Sequence, residues 1–272
     1  MNDDKLEKAK KLLDSNSIAV LTGAGISTDS GIPDYRGEGT KMRARSPLQY
    51  KQFVSDEKHR KTYWSRSILG WPKIRDSVPN DSHACLTNLE SDGRLTGIIT
   101  QNVDRLHTKA GSKGVVELHG ALAEVVCLDC RHISDRDVFQ KRLLKMNPIW
   151  MPHVEGIAPD GDIDLKNADT TDFGIPACVA CGGVIKPHVV FFGENVVKET
   201  LHNAWNVFNE ADSLLVLGSS LAVYSGYRFA KEAHKIGKPT VIINIGENRA
   251  DDLNAVKLEA DIKNTLEFLF LS

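Results

Sequence analysis

The sequence predicts an α/β fold in which a doubly wound parallel sheet carries a smaller module built from two insertions. A buried apolar run at Ile18–Thr22 ends directly on a glycine-rich loop, the junction at which such sheets bind phosphates. Further apolar runs alternate with helical patterns, as a parallel sheet requires. Two polar stretches, 37–80 and 121–186, interrupt this alternation, and 272 residues suffice for one large core and a small second module. We therefore expect a Rossmann-like sheet and a separate small lobe.

In chain order, the first predicted element is an N-terminal helix, one face of which carries Leu6, Ala9, Leu12 and Leu13. Because this stretch contains acidic residues and no apolar core, we expect neither a signal peptide nor a transit peptide. After the strand at Ile18–Thr22, short apolar runs predict further buried strands at 97–100, 189–192, 213–217 and 240–245. Several prolines and few periodic apolar positions predict a long loop at 147–164.

Four of the five cysteines form two Cys-x-x-Cys pairs, which are Cys127 with Cys130 and Cys178 with Cys181. Two such pairs supply the four thiolates of a closed tetrahedral zinc shell, which leaves no position open for water or substrate. The sequence therefore predicts a structural zinc ion, with the chemistry elsewhere. The interval between the pairs exceeds the about 15–20 residues usual between zinc knuckles, so the 147–164 loop is expected to be inserted into an ordinary ribbon.

These patterns divide the chain into a large lobe and a small lobe. The large lobe is expected to consist of residues 1–36, 81–120 and 187–272. Residues 37–80 should form the helical part of the small lobe, and residues 121–186 its zinc-binding module. Both parts are insertions between elements of the sheet, so two separate stretches build one lobe.

The composition limits which classes of partner and which cellular compartment we expect for the protein. The net charge is -2 with basic and acidic residues interspersed, so the sequence has no electrostatic footprint for nucleic acid. No window approaches the about 20 apolar residues of a membrane span. Because four cysteines are better explained as metal thiolates than as disulfides, and Cys85 as a small core residue, we expect a reducing, cytoplasmic setting.

The glycine-rich loop at 23–27 would let backbone amides and a helix N-terminus face a pyrophosphate. A full dinucleotide fingerprint needs a glycine where Thr28 stands, so from this loop alone nucleotide binding and a plain tight turn both stay open. The chain continues to Arg36 as Ser-Gly-Ile-Pro-Asp-Tyr-Arg. Residues 23–36 together resemble the opening signature of the sirtuins, the NAD-dependent protein deacylases.

The resemblance extends through nearly the whole chain in family order. The matching segments are Thr-Gln-Asn-Val-Asp at 100–104, Glu-Leu-His-Gly at 117–120, Gly-Glu at 193–194, Gly-Ser-Ser at 218–220 and Asn-Ile-Gly at 244–246. Residues similar to the sirtuin-four branch of class II and its bacterial relatives, the type without a transit peptide, lie at 70–72, 147–162 and 223–228.

The resemblance implies an NAD-dependent protein-lysine deacylase that acts on an acylated-lysine protein or peptide and releases nicotinamide and O-acyl-ADP-ribose. It implies NAD and zinc as cofactors, with NAD in the large lobe. At matching positions it implies three catalytic residues, Asn102, Asp104 and His119, of which His119 is a general base that titrates near neutrality. It also implies a set of NAD-binding residues: Gly23, Ala24, Gly25, Ser27, Asp34, Tyr35, Arg36, Gln101, Asn102, Val103, Asp104, Gly218, Ser219, Ser220, Asn244, Ile245, Gly246 and Ile262.

Alternatives to a deacylase stay open from the sequence. A protein ADP-ribosyltransferase would share the NAD cleavage step and pass ADP-ribose to a protein side chain. An NAD-sensing or acyl-lysine-binding module with weak catalysis could dispense with the base, whereas His119, Asn102 and Asp104 are all present. A dehydrogenase would be distinguished by the production of NADH instead of free nicotinamide.

Tyr63 and Arg66 are candidates for acyl selection. Their spacing of three places both side chains on one face of a helix. The pair resembles the Tyr-x-x-Arg arrangement by which the sirtuin-five branch accepts malonyl and succinyl groups, and a guanidinium suits a carboxylate. The pair predicts a preference for longer acids, such as glutaryl or hydroxymethylglutaryl, over acetyl. The alternative is a helix on which these two side chains merely cover the core.

The chain departs from the usual sirtuin pattern at several positions. Most deacetylases of the family have a proline near Ser225, an Arg where Lys186 stands and an Asp where His188 stands. Two other histidines, His83 and His107, lie on predicted helical stretches beside apolar residues. They are therefore expected to be structural histidines of the large lobe.

Overall fold

The computed structural model describes residues 3–14, 17–34, 48–150, 154–157, 163–165 and 169–271. Within these ranges the strands are β1 (Ile18–Thr22), β2 (Leu95–Thr100), β3 (Val115–Glu117), β4 (Gly120–Cys127), β5 (Ile133–Asp135), β6 (Val154–Ile157), β7 (Ile163–Leu165), β8 (Ile185–Val189), β9 (Ser213–Leu217), β10 (Thr240–Ile243) and β11 (Val256–Leu258). They form a six-stranded sheet, a three-stranded sheet and a two-stranded hairpin.

The helices pack on both sides of the larger sheet and build most of the small lobe. A short 3-10 helix spans Ala24–Ser30, and the α-helices of the same ranges are α1 (Asp3–Asp14), α2 (Tyr50–Ser55), α3 (Glu57–Asp76), α4 (Asp81–Ser91), α5 (Leu106–Ala110), α6 (Arg136–Met146), α7 (Lys198–Glu210), α8 (Tyr224–Ile236) and α9 (Ile262–Leu271). None of the helices in these ranges combines the length and the apolar character of a membrane span.

The six-stranded sheet has the order β11-β10-β9-β1-β2-β3, and every pair of neighbours is parallel. From β1 the chain passes outward to β2 and β3, and it later returns to β9 on the other side of β1. The strand order therefore reverses between β1 and β9, where the connecting loops diverge and leave a crevice at the carboxyl ends of the strands. The predicted parallel sheet is confirmed.

Each face of this sheet is covered by its own apolar cluster. Along β1, Ile18 and Val20 belong to the cluster beneath α1, α4 and α9, whereas Ala19 and Leu21 belong to the cluster beneath α7 and α8. All four side chains are fully buried. Because successive side chains of a strand point to opposite faces, a strand covered on both faces is apolar throughout. This confirms the doubly wound arrangement.

The small lobe is organised by the three-stranded antiparallel sheet β5-β4-β8. Helices α2, α3 and α6 pack around it through a separate cluster, the largest members of which are Phe53, Trp64 and Phe139. The α3 helix starts at Asp56, whose carboxylate accepts a hydrogen bond of 2.8 Å from the Lys58 amide. Two separate stretches of chain therefore share one apolar core.

The structure corrects two of the sequence predictions. The apolar run at 189–192 is not a strand of the parallel sheet, because the strand ends at Val189 and pairs antiparallel with β4 in the small sheet. An apolar run of this length does not show which sheet it joins. The long loop predicted at 147–164 contains the antiparallel hairpin of β6 and β7. The strands of this hairpin are too short to give a clear period of two.

The two structural histidines lie against each other in the interior of the large lobe. The rings of His83 and His107 are buried, with centroids 4.8 Å apart. Nδ1 of His83 lies 2.9 Å from the side-chain oxygen of Asn80, and Nε2 of His107 lies 3.0 Å from the Thr22 hydroxyl. Burial lowers the pKa of His83 to about 4 and the pKa of His107 to about 3. Both rings are therefore neutral at neutral pH.

We expect this pair to make the folded state less stable as the pH falls below about 6.5, the usual pKa of an unfolded histidine. Between that pH and the lowered pKa values the unfolded chain binds more protons than the folded chain, so acid favours unfolding. Thermal melts between about pH 7 and pH 5 should show a shallower decline in His83→Phe than in the wild type. His202→Gln, which changes an exposed histidine of α7, should keep the wild-type decline. Equal slopes in all three proteins would contradict the prediction.

Candidate active site

The loops that follow β1 and β9 form the floor of the crevice by packing backbone against backbone. The Gly23 amide donates to the Leu217 carbonyl at 3.0 Å, and the Gly25 amide donates to the Gly218 carbonyl at 2.9 Å. A Cβ atom on Gly25 would lie 2.8 Å from Cα of Gly218, which itself has a φ of 59°. Only glycine permits this approach. The glycine-rich loop is thus tied to the 218–220 segment, as a shared cofactor site requires.

The loop after β2 brings its polar residues onto the loop after β1. The Asn102 side-chain amide donates to the Ser27 hydroxyl at 3.1 Å, and that hydroxyl donates to one Asp104 carboxylate oxygen at 2.8 Å. The other oxygen accepts from the Leu106 amide at 2.9 Å. All three polar side chains are buried, and burial raises the pKa of Asp104. The structure therefore brings together the predicted residues Ser27, Asn102 and Asp104.

The His119 ring is held at both of its nitrogens. Nδ1 lies 2.9 Å from the Gln101 carbonyl oxygen, and Nε2 lies 2.7 Å from the Ser225 hydroxyl oxygen. A carbonyl oxygen can only accept, so Nδ1 carries the proton and Nε2 of the neutral ring is an acceptor. The loss of surrounding water lowers the pKa of His119 below its usual value. The ring is therefore a neutral base at neutral pH.

The segment after β8 lies directly beside His119, and sequence reasoning missed the ion pair that shapes it. The Val190 amide donates to the His119 carbonyl at 2.8 Å. The Lys186 ammonium lies 3.0 Å from the Glu194 carboxylate, which also accepts from the Phe191 amide at 2.9 Å. The Lys186 side chain is almost fully buried. The Glu194 carboxylate therefore joins the 191–194 turn to Lys186 of β8.

Two of the predicted NAD-binding segments, 218–220 and 244–246, follow β9 and β10 at the carboxyl edge of the sheet. The Gly218 amide donates to the Ile243 carbonyl at 2.9 Å, so the 218–220 and 244–246 segments are neighbours. Asn244 is buried, whereas Ile245 is 74% exposed. Val103 is partly buried against a small apolar cluster, and Ile262 is the first residue of α9.

The remaining predicted NAD-binding residues are divided between the floor of the crevice and the region that the structure leaves out. Ala24 begins the 3-10 helix of the glycine-rich loop. The Ser219 hydroxyl donates to the Gln101 side-chain oxygen at 2.6 Å, and the Ser220 carbonyl accepts from the Arg249 amide at 2.9 Å. Asp34 ends the described part of its loop. Tyr35 and Arg36 lie outside the described residues.

The acyl-selecting candidates lie on α3, as predicted. Tyr63 is buried and packs edge-on against Phe191, with ring centroids 5.4 Å apart. Phe191 follows Val190, whose amide donates to the His119 carbonyl. Tyr63 is therefore in contact with the residue next to the one that is bonded to His119. Arg66 lies one turn further along the helix and is half-buried.

The four paired cysteines form one cluster in the small lobe. The sulfur atoms of Cys127, Cys130, Cys178 and Cys181 all lie within 4.8 Å of one another. A zinc tetrahedron with bonds of about 2.3 Å has edges of about 3.8 Å, so the cluster fits the ion. Gly182 supplies the left-handed turn of the second knuckle with a φ of 77°. The predicted pairing of two knuckles is confirmed as a group able to bind zinc.

Comparison with known proteins agrees with this arrangement. The mitochondrial NAD-dependent protein lipoamidase sirtuin-4 of Bos taurus is 45% identical over 264 residues, which cover 96% of this chain and 84% of the relative. NAD-dependent protein deacetylase 2 of Bradyrhizobium diazoefficiens is 46% identical over 92% of each chain. A solved structure, described as Sir2-p53 peptide-NAD+, superposes with a TM-score of 0.75 at 31% identity and covers 96% of this chain and 95% of its own. The sequence model of the Sir2 family matches residues 23–225, and the chain belongs to this family.

Proposed function

We propose that this Sir2-family chain is an NAD-dependent protein-lysine deacylase that transfers the acyl group to ADP-ribose and releases nicotinamide. One observation carries the proposal: a neutral histidine, His119, follows β3 at the carboxyl edge of the sheet, with its proton on Nδ1 and its acceptor nitrogen, Nε2, beside the Ser225 hydroxyl. A base of this kind is needed to activate a hydroxyl for acyl transfer. The names of the relatives, a deacetylase and a lipoamidase, support the same chemistry.

The residues of the crevice fit NAD. A Cβ atom on Gly23 or Gly25 would lie less than 3 Å from residues 218–219, so these positions carry no side chain that could occupy the crevice. Gly246, with a φ of 85°, has no heavy atom within 4 Å of the place where a Cβ atom would lie. NAD supplies an activated ribose carbon when it is bound. We assign the ribose and the nicotinamide amide to Asn102 and Asp104, whose side chains are already fixed through Ser27. Fixed polar groups of this kind position a weak nucleophile without reorganisation.

We further propose that one lobe binds NAD and the other binds the acylated lysine. Residues 1–36, 81–120 and 187–272 bind NAD, while residues 37–80 and the zinc-binding module at 121–186 hold the acylated lysine from the other side. The boundary between 186 and 187 falls within β8, so that strand couples the two lobes. A cytoplasmic location is part of the proposal, because four cysteines placed to bind a metal as thiolates suit a reducing compartment.

The test is a panel of acyl-lysine peptides with one carrier sequence, incubated with the protein and NAD and read by mass spectrometry. We expect free lysine peptide, nicotinamide and O-acyl-ADP-ribose in equal amounts. ADP-ribose attached to protein without free lysine would indicate ADP-ribosyl transfer instead. Production of NADH would indicate a dehydrogenase. NAD binding with no turnover of any acyl group would indicate a sensing module.

The same panel tests the proposal that Arg66 selects acidic acyl groups. Arg66→Ala should lose glutaryl and hydroxymethylglutaryl turnover while uncharged acyl groups are spared, because a guanidinium binds a carboxylate by charge-assisted bonds. The expected loss is about 1.5–3 kcal/mol, or roughly 10- to 150-fold in kcat/KM.

Arg75→Ala is the matched control for Arg66→Ala. Arg75 lies in the last turn of α3, where it pairs with Asp76 at 2.7 Å. Its replacement should leave the order of acyl preference unchanged. If Arg66→Ala slows all acyl groups equally and acetyl-lysine is preferred by the wild type, then Tyr63 and Arg66 are structural and do not select the acyl group.

A further inference from the structure

Ser225 lies outside the residues to which the sequence motifs assign a role, yet its hydroxyl contacts the proposed base directly. The Ser225 oxygen is 2.7 Å from Nε2 of His119, although the two residues are 106 positions apart. Since Nδ1 carries the ring proton, the hydroxyl is the donor of this bond and Nε2 is the acceptor. An imidazole acceptor nitrogen has a single in-plane lone pair. That lone pair is engaged by the Ser225 hydroxyl.

The hydroxyl is held in place by a closed ring of contacts. Ser225 is the second residue of α8, and its neighbour Gly226 packs on the Gln101 side chain, where a Cβ atom would lie 2.6 Å from the amide nitrogen. The Gln101 carbonyl in turn holds Nδ1 of His119. The Gln101 side-chain oxygen accepts from Ser219 at 2.6 Å. The backbone at Ser225 and Gly226 therefore cannot move away from His119 without disturbing Gln101, which orients the same ring.

We propose that Ser225 is a proton carrier between a ribose hydroxyl of the bound cosubstrate and His119, an inference that rests on the proposed role of His119 as the base. The Ser225 oxygen has two lone pairs and can accept a hydrogen bond while it donates to Nε2. When a ribose hydroxyl is in place, its oxygen would form a bond to the acyl carbon as its proton passes to the Ser225 oxygen and the Ser225 proton passes to Nε2. Serine ends with one proton, as it began, and the imidazole ring becomes the cation.

This proposal gives a physical meaning to a serine in a segment where most deacetylases of the family have a nearby proline. A proline has no hydroxyl and could not carry a proton in this way. A serine interposes one oxygen atom, which moves the reacting hydroxyl away from Nε2. The arrangement of a hydroxyl, a neutral imidazole and an oxygen acceptor on Nδ1 is also that of a serine–histidine pair oriented by a third group. Here the third group is the Gln101 carbonyl.

The first test uses the protein without NAD, so that it does not depend on turnover. Nitrogen-15 spectra of the histidine side chains should show the Nε2 resonance of His119 moving in Ser225→Ala toward the position of a lone pair with no hydrogen bond. The Nδ1 resonance should stay in place, because the Gln101 carbonyl remains. Ser225→Thr, which keeps a hydroxyl, should retain the wild-type Nε2 position. An Nε2 resonance that does not respond to Ser225→Ala would overturn the proposal.

The second test measures the reaction. Ser225→Ala should slow acyl transfer by about ten- to a hundredfold, a part of the range typical of proton-transfer catalysis, while exchange of labelled nicotinamide into NAD is kept. Ser225→Thr should recover most of the acyl transfer. Acyl transfer that is unchanged or faster in Ser225→Ala would show that the hydroxyl only covers the base. Equal losses of exchange and acyl transfer would show a structural role.

A proton inventory separates a carrier from a residue that merely positions the ring. Two protons move in one step through the carrier, so the rate of acyl transfer in mixtures of H2O and D2O should follow a curved dependence in the wild type and a straight line in Ser225→Ala. A straight line in the wild type would overturn the proposal. The assignment of His119 as the base has its own test. Normal acyl transfer by a His119→Ala protein would show that His119 is not the base.

Discussion

Replacing His119 by alanine should abolish acyl transfer while leaving NAD binding largely in place. The ring is a neutral base whose pKa is lowered by burial, so Nε2 is free of a proton at neutral pH. Loss of general-base help typically costs about 10²–10⁴-fold in rate. The segments at 23–27 and 218–220, which we propose bind NAD, are joined to each other by backbone bonds that do not involve the ring. Acyl transfer is measured with the peptide panel, and NAD affinity by calorimetry.

The control for this change is His202→Ala, because His202 is an exposed histidine on α7. It should transfer acyl groups at the wild-type rate. Exchange of labelled nicotinamide into NAD supplies a second comparison, since this step requires NAD cleavage but no base. We expect exchange to persist in His119→Ala. Near-normal acyl transfer in that variant would show that the base lies elsewhere, and loss of NAD binding would show that the ring supports the fold.

Much of the site could be predicted because parallel neighbours end at the same edge of a sheet. Ser27 follows β1 and Asn102 and Asp104 follow β2, so the pairing of those two strands alone brings the three side chains together. The apolar runs of both strands are buried on two faces and are therefore continuous in the sequence. The four cysteines could be paired for a different reason, which is that only two knuckles together complete a tetrahedral shell.

The contact between Ser225 and His119 could not be predicted from the sequence. It depends on the first turn of α8 packing on Gln101, and no local pattern shows where a helix meets a loop that is more than 100 positions away along the chain. The same reason explains the misplaced strand at 189–192. Its apolar residues suit a parallel sheet, but Val189 pairs with Gly120, and a Cβ atom on that glycine would lie 2.1 Å from the His188 carbonyl oxygen. Such close approaches are visible only in three dimensions.

Removal of zinc should lower thermal stability and acyl transfer together. Cys127 and Cys178 are buried members of the small-lobe core, and Cys127 is the last residue of β4. The ion would therefore tie the end of β4 to the chain that enters β8, and the free energy of metal binding would contribute to folding. If Cys178→Ser costs about 3 kcal/mol, the melting temperature should fall by roughly 6–12 °C in a chain of this size.

Activity should fall with stability because the strands that lead to the cysteine cluster also hold His119, the proposed base. Gly120 opens β4 immediately after His119, and the Val190 amide at the end of β8 holds the His119 carbonyl at 2.8 Å. Disorder at the metal end of these strands would therefore loosen the backbone of His119. We expect the chelated wild type and Cys178→Ser to lose acyl transfer to a greater extent than NAD binding, because the NAD-binding loops lie on the six-stranded sheet.

Cys85→Ser provides the control for the zinc prediction, because Cys85 is a buried thiol of the large lobe and stands apart from the cluster. Zinc content is measured for each protein by atomic emission, and free thiols are counted with a colorimetric reagent before and after chelation. The wild type and Cys85→Ser should each hold one zinc ion and expose four further thiols on chelation, whereas Cys178→Ser should bind zinc poorly. An unaltered melting curve in a chelated protein whose four sulfurs react freely would show that the metal does not stabilise the small lobe. A Cys85→Ser protein that loses zinc would show that the metal depends on the folding of the large lobe, since the four clustered thiolates would still be intact.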